Sequence, residues 1–265
     1  MNPCRKPCFS HRLCAASLAV AMLLHAAPAL AALNAPACDR LQERGVIDAT
    51  APVGCDRLAV VRFPYVDFDG RHHDDGELMV LAAIAPEVRQ LFHRLYQRRF
   101  PLARARLVDH YHGDDAASMQ DNNTSAFNNR QIIGGGPPSL HAYGLAIDIN
   151  PLQNPFVQRD GQGGKRISPP GGSAYLNRSA AGAGTAETVR LLFAEAGFTV
   201  WGGDWKTPVD YQHFQFGRAF AEKLSALPEP PARQHYLKQL AGHKRCLKKY
   251  SENNAQEAGK RCALK

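Results

Sequence analysis

Two short segments of the chain carry side chains that could bind a metal ion and activate a water molecule. The first segment contains His141 and Asp148, and the second contains Asp210 and His213. Two histidines and one carboxylate are a zinc ligand set that leaves one coordination position for water. Zinc lowers the pKa of such a water to about 7, and a second carboxylate beside it could serve as its base. These residue types therefore indicate metal-dependent hydrolysis.

The residues around Asp148 have the alternating pattern of a β-strand. Apolar side chains occupy positions 145, 147 and 149, while Gly144 and Ala146 share the other face with Asp148. This pattern predicts a strand with one buried face. We expect the carboxylate to project into space that Gly144 and Ala146 leave clear, with His141 folding back toward it from the preceding turn.

The second segment predicts a strand whose faces are divided between the core and the site. Phe214 and Phe216 are expected to face the core, and His213 to face away from it. Residues three apart on a regular strand point in opposite directions, so Asp210 and His213 can act together only if the chain bends. We therefore expect Asp210 to lie in a bend after Pro208.

Upstream of these segments the chain predicts a β-hairpin followed by a helix. Strand-like runs rich in Val, Leu and Ile occur at Leu58–Phe63 and Glu77–Leu81, and turn residues lie between them at 67–70 and 74–76. Pro86 then begins a helical pattern, at a position where its missing N–H costs nothing.

Downstream, residues 160–172 have the composition of a surface loop, and Thr185–Ala196 has a helical pattern that stops at Gly197. Strands and helices follow one another in mixed order, without regular β-α alternation. The sequence therefore predicts an α+β fold, with a small mixed or antiparallel sheet and flanking helices.

Residues 1–31 have the features of a signal peptide. A positively charged leader precedes an apolar run, and Ala29–Ala31 supplies the small residues of a cleavage site. An uncleaved membrane anchor is the alternative. The rest of the chain contains no apolar stretch of about eighteen residues. The sequence thus predicts a secreted, periplasmic protein with no transmembrane segment after cleavage.

Four cysteines would remain after that cleavage, and an oxidising compartment would pair them as two disulfides. Three connectivities are possible, and local pairing costs the least loop entropy. Local pairing joins Cys38 to Cys55 and Cys246 to Cys262. A zinc site of four thiolates is not expected, because no C-x-x-C pair occurs.

The mature chain divides by composition into an N-terminal strap at 32–57, a main domain at 58–228 and a basic C-terminal tail at 229–265. From Ala232 to Lys265 there are nine Lys or Arg residues and two acids, in a chain of formal charge +8. Such a tail could hold the protein against anionic envelope polymers, or it could be a solvated helix closed by a disulfide. Nucleic acid is not an expected partner, because basic and aromatic residues are not interleaved.

The two segments together resemble a known family of zinc peptidases. The patterns S-x-H-x-x-G-x-A-x-D at 139–148 and D-x-x-H-F at 210–214 are similar to those of enzymes that cut peptidoglycan stem peptides. That family includes D-alanyl-D-alanine carboxypeptidases of the vancomycin-resistance type and L-alanyl-D-glutamate endopeptidases, many of them phage endolysins. The resemblance covers roughly Gly76–Phe216. It is greatest for the endopeptidase branch, which tends to carry Asp rather than Glu three residues before the last histidine.

The resemblance implies that residues 58–228 are a zinc peptidase domain, with the fold of D-alanyl-D-alanine peptidases and hedgehog-type proteins. It implies that one Zn²⁺ is held by His141, Asp148 and His213. Asp210 would then be the general base that takes a proton from water and returns it to the leaving amine.

Two further residues are implied as substrate contacts. Arg130 falls where the family tends to place an arginine that binds substrate or steadies the oxyanion, and a guanidinium can grip a carboxylate with two hydrogen bonds. A structural ion pair is the alternative for Arg130. Ser125 lies near the position of a family serine, although its spacing to the arginine differs.

The leading function that the resemblance implies is hydrolysis of the L-Ala–D-Glu bond of a stem peptide. Cleavage of the terminal D-Ala–D-Ala bond is the first alternative. A zinc-containing wall-binding module without turnover is the second, and Asp210 argues against it because such a module would be free to lose this carboxylate.

Other catalytic arrangements have weaker support in the sequence. His110 with His112, and His72 with His73, could contribute to metal sites, but their patterns suggest no third ligand. The chain lacks the G-x-S-x-G elbow of serine hydrolases and the H-E-x-x-H motif of the common zinc proteases. The four remaining cysteines lie at the two ends of the chain, which disfavours a cysteine peptidase.

Overall fold

The computed structural model describes residues 33–179, 182–250, 261–262 and 264. The predicted signal peptide therefore lies outside the described residues. Within the described ranges, no helix is both long and apolar enough to cross a membrane.

The described residues form α-helices, strands and short 3-10 turns in mixed order, which confirms the α+β prediction. The helices are α1 (Ala35–Glu43), α2 (Ala85–Gln97), α3 (Asp115–Gln120), α4 (Arg190–Glu195), α5 (Arg218–Ala226) and α6 (Pro231–Tyr250). The strands are β1 (Leu58–Val66), β2 (His72–Leu81), β3 (Arg104–Ala105), β4 (Asn123–Thr124), β5 (Ala146–Asp148), β6 (Phe156–Arg159), β7 (Lys165–Ser168), β8 (Val200–Trp201), β9 (Val209–Asp210) and β10 (His213–Gln215).

The strands form several small sheets, most of them antiparallel. β1 pairs with β2 as a hairpin, while β5, β10 and β8 form one three-stranded sheet and β7, β6 and β9 form another. β3 and β4 pair in parallel over two residues. Because β9 and β10 belong to different sheets, the chain between them must change direction, and this change places the functional residues.

The β1–β2 hairpin extends both predicted strands, and its turn falls at 67–70. Residues 74–76, which we expected to be a turn, lie inside β2 instead. Gly76 does not form a turn but allows close packing within the hairpin. A Cβ at this position would lie 2.7 Å from the ring of Phe63. The register of the two strands also shifts between Phe63 and Tyr65, as in a β-bulge.

A path of aromatic rings connects the hairpin to the strand that carries His213. Phe63 packs on Phe92 of α2 with ring centroids 4.3 Å apart, Phe92 contacts Phe193 of α4, and Phe193 stacks on Phe214 of β10 at 4.0 Å. Phe214 is 1% exposed, as expected of a core residue. Rings of this size dominate core energetics, so this packing holds β10 in place.

β5 corrects the expectation of a strand with one open face. All three of its residues are buried, and Asp148 is 3% exposed. β10 covers one edge of β5, and Ser125 covers the other through a backbone pair with Asp148, with N–H to O distances of 2.9 and 3.0 Å. A strand three residues long can be enclosed on both faces by neighbouring segments, which its own alternation does not reveal.

Gly144 has a different role from the one predicted. It does not clear space for the carboxylate but has a left-handed φ of +65° and packs against the hairpin. The N–H of Leu81 donates to the Gly144 carbonyl at 3.0 Å, and a Cβ on Gly144 would lie 2.5 Å from that nitrogen. The motif glycine thus fixes the turn that carries His141 to the core sheet.

Replacing Gly144 with alanine should therefore lower the free energy of unfolding by about 3 kcal/mol, from a strained φ and an overpacked backbone contact. Gly135→Ala is the matched control, because Gly135 also has positive φ but faces open space. It should cost only the backbone strain, about 1 kcal/mol. Guanidinium unfolding followed by circular dichroism measures both losses, and equal losses would contradict the proposed contact.

Two downstream elements differ in part from expectation. Residues 160–172 are not all loop, because β6 and β7 form a hairpin whose turn is held by Asp160 Oδ1, which accepts from the N–H groups of Gln162 and Gly164. The predicted helix at 185–196 begins as a 3-10 turn over Ala186–Val189 and continues as α4. It ends at Gly197, whose φ is +97°.

Two local disulfides, Cys38–Cys55 and Cys246–Cys262, lie near the two ends of the described chain. The predicted strap contains α1, whose Leu41 is buried in the core. Most of the predicted tail is α6, which buries Tyr236 and donates its hydroxyl to the carbonyl of Ala196 at 2.9 Å. Two disulfides indicate an oxidising compartment outside the cytoplasm.

Candidate metal centre

His141, Asp148 and His213 come together in one buried cluster. Their ligand atoms all lie within 4.8 Å of one another. Asp148 and His213 are direct cross-strand partners on β5 and β10, so their side chains share a face. His141 reaches the same point from the 3-10 turn Leu140–Tyr143, where Ser139 Oγ accepts from the His141 N–H at 3.4 Å.

The second ring nitrogen of each histidine donates to an oxygen that can only accept. His141 Nδ1 donates to the carbonyl of Ala126 at 2.5 Å, and His213 Nε2 donates to Gln215 Oε1 at 2.8 Å. These partners fix the orientations of both rings, so His141 Nε2 and His213 Nδ1 face the cluster, where they would offer lone pairs to a bound metal. Metal-ligating histidines are held by the same kind of outer hydrogen bond.

The spacing of the three donors fits a single small cation. His141 Nε2 lies 3.1 Å from His213 Nδ1 and 3.2 Å from Asp148 Oδ2, and His213 Nδ1 lies 2.9 Å from Asp148 Oδ1. Tetrahedral zinc ligands at about 2.0–2.1 Å from the ion are about 3.3 Å apart. Two imidazole nitrogens and a carboxylate that converge on one point therefore form a donor set that fits zinc.

Asp148 is held as a carboxylate despite its burial. Burial alone raises the pKa of a carboxyl group, but the charges and hydrogen bonds of His141 and His213 outweigh it and hold the pKa of Asp148 well below its usual range. Asp148 is therefore available as an anionic ligand at any physiological pH.

Asp210 lies beside the cluster, but not in the bend we expected. It belongs to β9 and pairs with Phe156 of β6, and the bend falls at Tyr211 and Gln212. The Gln212 carbonyl accepts from the N–H of Ile149 at 3.1 Å, which holds the bend against the end of β5. The change of sheet between β9 and β10 is what lets residues three apart face one cleft.

The Asp210 carboxyl is buried, and its Oδ1 has no hydrogen-bond partner among the described residues. Burial, followed by the negative charge of Asp148, raises the pKa of Asp210 to about 7. A bound cation would lower that value, because an opposite charge favours the carboxylate. Such a group is suited to exchange a proton near neutral pH.

The metal-free protein should lose stability relative to an Asp210→Asn variant as the pH rises from 3.8 to about 7. A raised folded-state pKa means that ionisation favours the unfolded chain, so the stabilising effect of the neutral form disappears through this range. Guanidinium unfolding with a chelator at about pH 5 and about pH 8 measures the difference. The opposite pH effect of Asp148 is common to both proteins and cancels. A pH-independent difference would contradict the raised pKa.

Arg130 forms a structural ion pair and also lines the cleft, so its position is compatible with both predicted roles. Its Nη2 forms an ion pair with Asp115 Oδ2 at 3.1 Å, and its side chain also lines the cleft that contains Asp210 and His213. Its Nε is buried without a hydrogen-bond partner in the described part of the chain. The ion pair can therefore orient the guanidinium while leaving donors for a ligand.

Ser125 is placed next to the cluster by its backbone. It is 6% exposed, and its N–H and carbonyl both pair with Asp148. Its observed contact is thus with the strand that carries a ligand, and a contact of its side chain with substrate stays a prediction.

The cleft above the cluster has a volume of about 170 Å³. It contains several residues that the sequence reasoning did not single out. Gln215 holds His213, Arg218 adds a second guanidinium, and Ile132 and Ile133 form an exposed apolar edge. A glutamine two residues after a ligand histidine, on the same strand face, was the one available signal for such an outer partner.

The other histidine groups do not form metal sites within the described residues, where the only cluster of this kind is the one above. His112 ends a 3-10 turn with a left-handed φ of 53°, so His110 and His112 do not lie on a strand. His73 is engaged with Asp67, its Nε2 lying 2.9 Å from Asp67 Oδ2.

The comparisons with known proteins agree with this geometry. Residues 134–216 match a family model described as D-alanyl-D-alanine carboxypeptidase, and this segment contains all three candidate ligands and Asp210. No curated protein and no solved structure gives a significant match to the chain. Residues 134–216 are therefore similar to the D-alanyl-D-alanine carboxypeptidase family, and the candidate metal site of His141, Asp148 and His213 lies within this segment.

Proposed function

We propose that the protein is an exported zinc peptidase that hydrolyses the L-Ala–D-Glu bond of peptidoglycan stem peptides. The observation that carries the proposal is that His213 of the buried His-Asp-His cluster and the unpartnered carboxylate of Asp210 line the same cleft. The match to the carboxypeptidase family supports peptide hydrolysis as the chemistry.

The residues of the chain divide the work of hydrolysis between binding and proton transfer. Zinc bound by His141, Asp148 and His213 would supply a Lewis acid that polarises a carbonyl and acidifies water. Asp210 accepts the proton from the attacking water and returns it to the leaving amine. Gln215 and the Ala126 carbonyl keep both imidazoles in the tautomers that bind a metal.

The two guanidinium groups give the cleft a preference for a carboxylate near the cut bond. Arg130 lies there with its ion pair to Asp115, and Arg218 is held by the Pro138 carbonyl at 3.0 Å and by Glu222. The D-Glu of a stem peptide is joined onward through its γ-carboxyl and keeps a free α-carboxylate. The terminal D-Ala of D-Ala–D-Ala carries a carboxylate on the equivalent carbon, so one arginine can serve either substrate.

The endopeptidase reaction additionally needs room for the chain that continues beyond D-Glu. The apolar edge formed by Ile132 and Ile133 lies in a segment with three glycines of positive φ, and both isoleucines are about 40% exposed. This edge is where an extended substrate can leave the cleft. Asp rather than Glu at position 210 also favours the endopeptidase branch of the resemblance.

The D-Ala–D-Ala carboxypeptidase remains the second candidate, favoured by the description of the matched family and by the presence of two arginines in the cleft. The wall-binding module without turnover is the candidate of a different class. It is disfavoured because its site would have no need of a buried, unpartnered carboxylate at Asp210.

Two synthetic peptides separate the candidates. The tripeptide L-Ala–γ-D-Glu–L-Lys contains the endopeptidase bond and lacks D-Ala–D-Ala, whereas acetyl-L-Lys–D-Ala–D-Ala contains only the carboxypeptidase bond. We expect zinc-loaded protein to release L-Ala from the first peptide and to leave the second intact. Release of D-Ala from the second alone would assign the carboxypeptidase. Cleavage of neither, by protein that holds zinc, would favour the binding module. The inactive Asp210→Asn protein is the control for contaminating peptidases.

A further inference from the structure

A second cavity, of about 200 Å³, shares a wall with the metal-site cleft. The wall is the segment 205–211, whose residues line the two spaces in turn. Trp205, Pro208 and Asp210 line the cleft, whereas Lys206, Thr207, Val209 and Tyr211 line the second cavity. A polymer bound in the cleft would therefore lie next to a second cavity, on the other side of the segment 205–211.

The rim of this second cavity is basic. Arg159, Lys165 and Lys206 reach it from three different segments, and all three are exposed. None of the three forms an ion pair within the described ranges. The neighbouring acids are engaged elsewhere, because Asp160 holds its own turn and Asp204 pairs with Arg190 at 2.6 Å.

Two of these cations are also forced together by the fold. Arg159 and Lys165 are direct partners at the end of the β6–β7 hairpin. Like charges directly opposite on an antiparallel pair destabilise it, and an anion bound between them would offset their repulsion. The cavity is also lined by the aliphatic side chains of Val157, Leu176 and Val209.

From these observations we propose that the basic cavity, defined by Arg159, Lys165 and Lys206, is a subsite for a carboxylate group of the peptidoglycan itself. The inference rests on the proposed function, since it names the part of the polymer that lies beside the bond being cut. The occupant is an acidic peptide with an aliphatic portion, namely a stem peptide adjacent to the one in the cleft. Its carboxylate contacts the cationic rim and its aliphatic part packs on the aliphatic side chains of the cavity.

The test compares two variants that remove the same charge. Lys165→Gln/Lys206→Gln removes two rim cations, and Arg98→Gln/Lys223→Gln removes two exposed cations that line neither cavity. Both are made in the Asp210→Asn protein, so that turnover does not consume the ligand. Co-sedimentation with purified, uncut peptidoglycan measures binding at low and high salt, and circular dichroism checks folding.

We expect the rim variant to bind about tenfold more weakly than the control variant, a loss typical of two exposed charge contacts, and high salt to abolish the difference. Amidation of the polymer's carboxylates should weaken binding of the parent protein at least to the level of the rim variant, because the cleft arginines also lose a partner, and it should remove the difference between rim and control variants. Equal binding by rim and control variants would overturn the subsite, as would unchanged binding to the amidated polymer. Rim-dependent binding by a protein that never cleaves stem peptides would keep the subsite and remove the proposed function, so the two failures are distinguishable.

Discussion

Asp210→Asn should reduce kcat for stem-peptide hydrolysis by about 10² to 10⁴ while leaving one zinc per chain. The amide has the shape of the carboxylate but cannot accept the proton of water, and general-base catalysis contributes rate factors of this size. The buried Oδ1 of Asp210 has no hydrogen bond among the described residues that the substitution would break. Zinc content from atomic spectrometry and kcat from peptide mass spectrometry measure the two effects separately.

The control for this variant is Asp204→Asn, which neutralises an exposed carboxylate that pairs with Arg190. It should keep both zinc and turnover. Loss of zinc from Asp210→Asn would show that Asp210 is a ligand, and nearly unchanged kcat would show that the base lies elsewhere. Each result would contradict the division of roles proposed here.

His141→Ala should lose both the metal and the turnover. It removes one of three protein ligands, together with the imidazole that the Ala126 carbonyl orients. The stability of the protein then becomes insensitive to zinc. A ligand that binds only the folded state stabilises it by about 4 kcal/mol at a thousand times its Kd, so the parent protein should unfold at a higher temperature when zinc is added and the variant should not.

His110→Ala is the matched control, because His110 is exposed and belongs to the alternative histidine group. It should keep the zinc-dependent shift in unfolding temperature. A stoichiometric zinc ion retained by His141→Ala would remove His141 from the site, and loss of zinc from His110→Ala would move the metal to the 108–115 region.

Much of the site could be predicted because its residue types are rare in combination. Two histidines and two carboxylates in short patterns suggest a zinc site, and the resemblance to a zinc peptidase family implies which of them are ligands and which is the base. The hairpin and α2 were also predictable, because strong apolar periodicity acts locally. These features depend on contacts between near neighbours in the chain.

The remaining features depend on contacts between distant segments, which periodicity does not encode. Burial of both faces of β5 requires core packing against Ala146 and Ile147, which point to opposite faces of the strand. The role of Gly144 requires the approach of Leu81, and the position of Asp210 requires β6 as a partner. Arg218 lines the cleft only because α5 follows β10 directly.

The same reasoning applies to the predicted basic tail. Its positive charge can be read from the composition, but the packing of its helix against the core cannot. Residues 231–250 form α6, which buries Tyr236 and Leu240 and exposes Lys238, Lys244 and Lys248. A helix with this division of faces is compatible with a solvated surface or with contact to anionic polymers. Contact of this helix with envelope polymers stays a prediction. The rim and control variants of the basic cavity do not test it, because they change no residue of the tail.

The most direct test of the central claim is mass spectrometry of purified stem peptides after incubation with the protein, with and without a chelator. We expect fragments cut between L-Ala and D-Glu, their loss on chelation and their return when zinc is restored. Intact peptides after incubation with zinc-loaded protein would contradict the claim that the His141, Asp148 and His213 site performs hydrolysis.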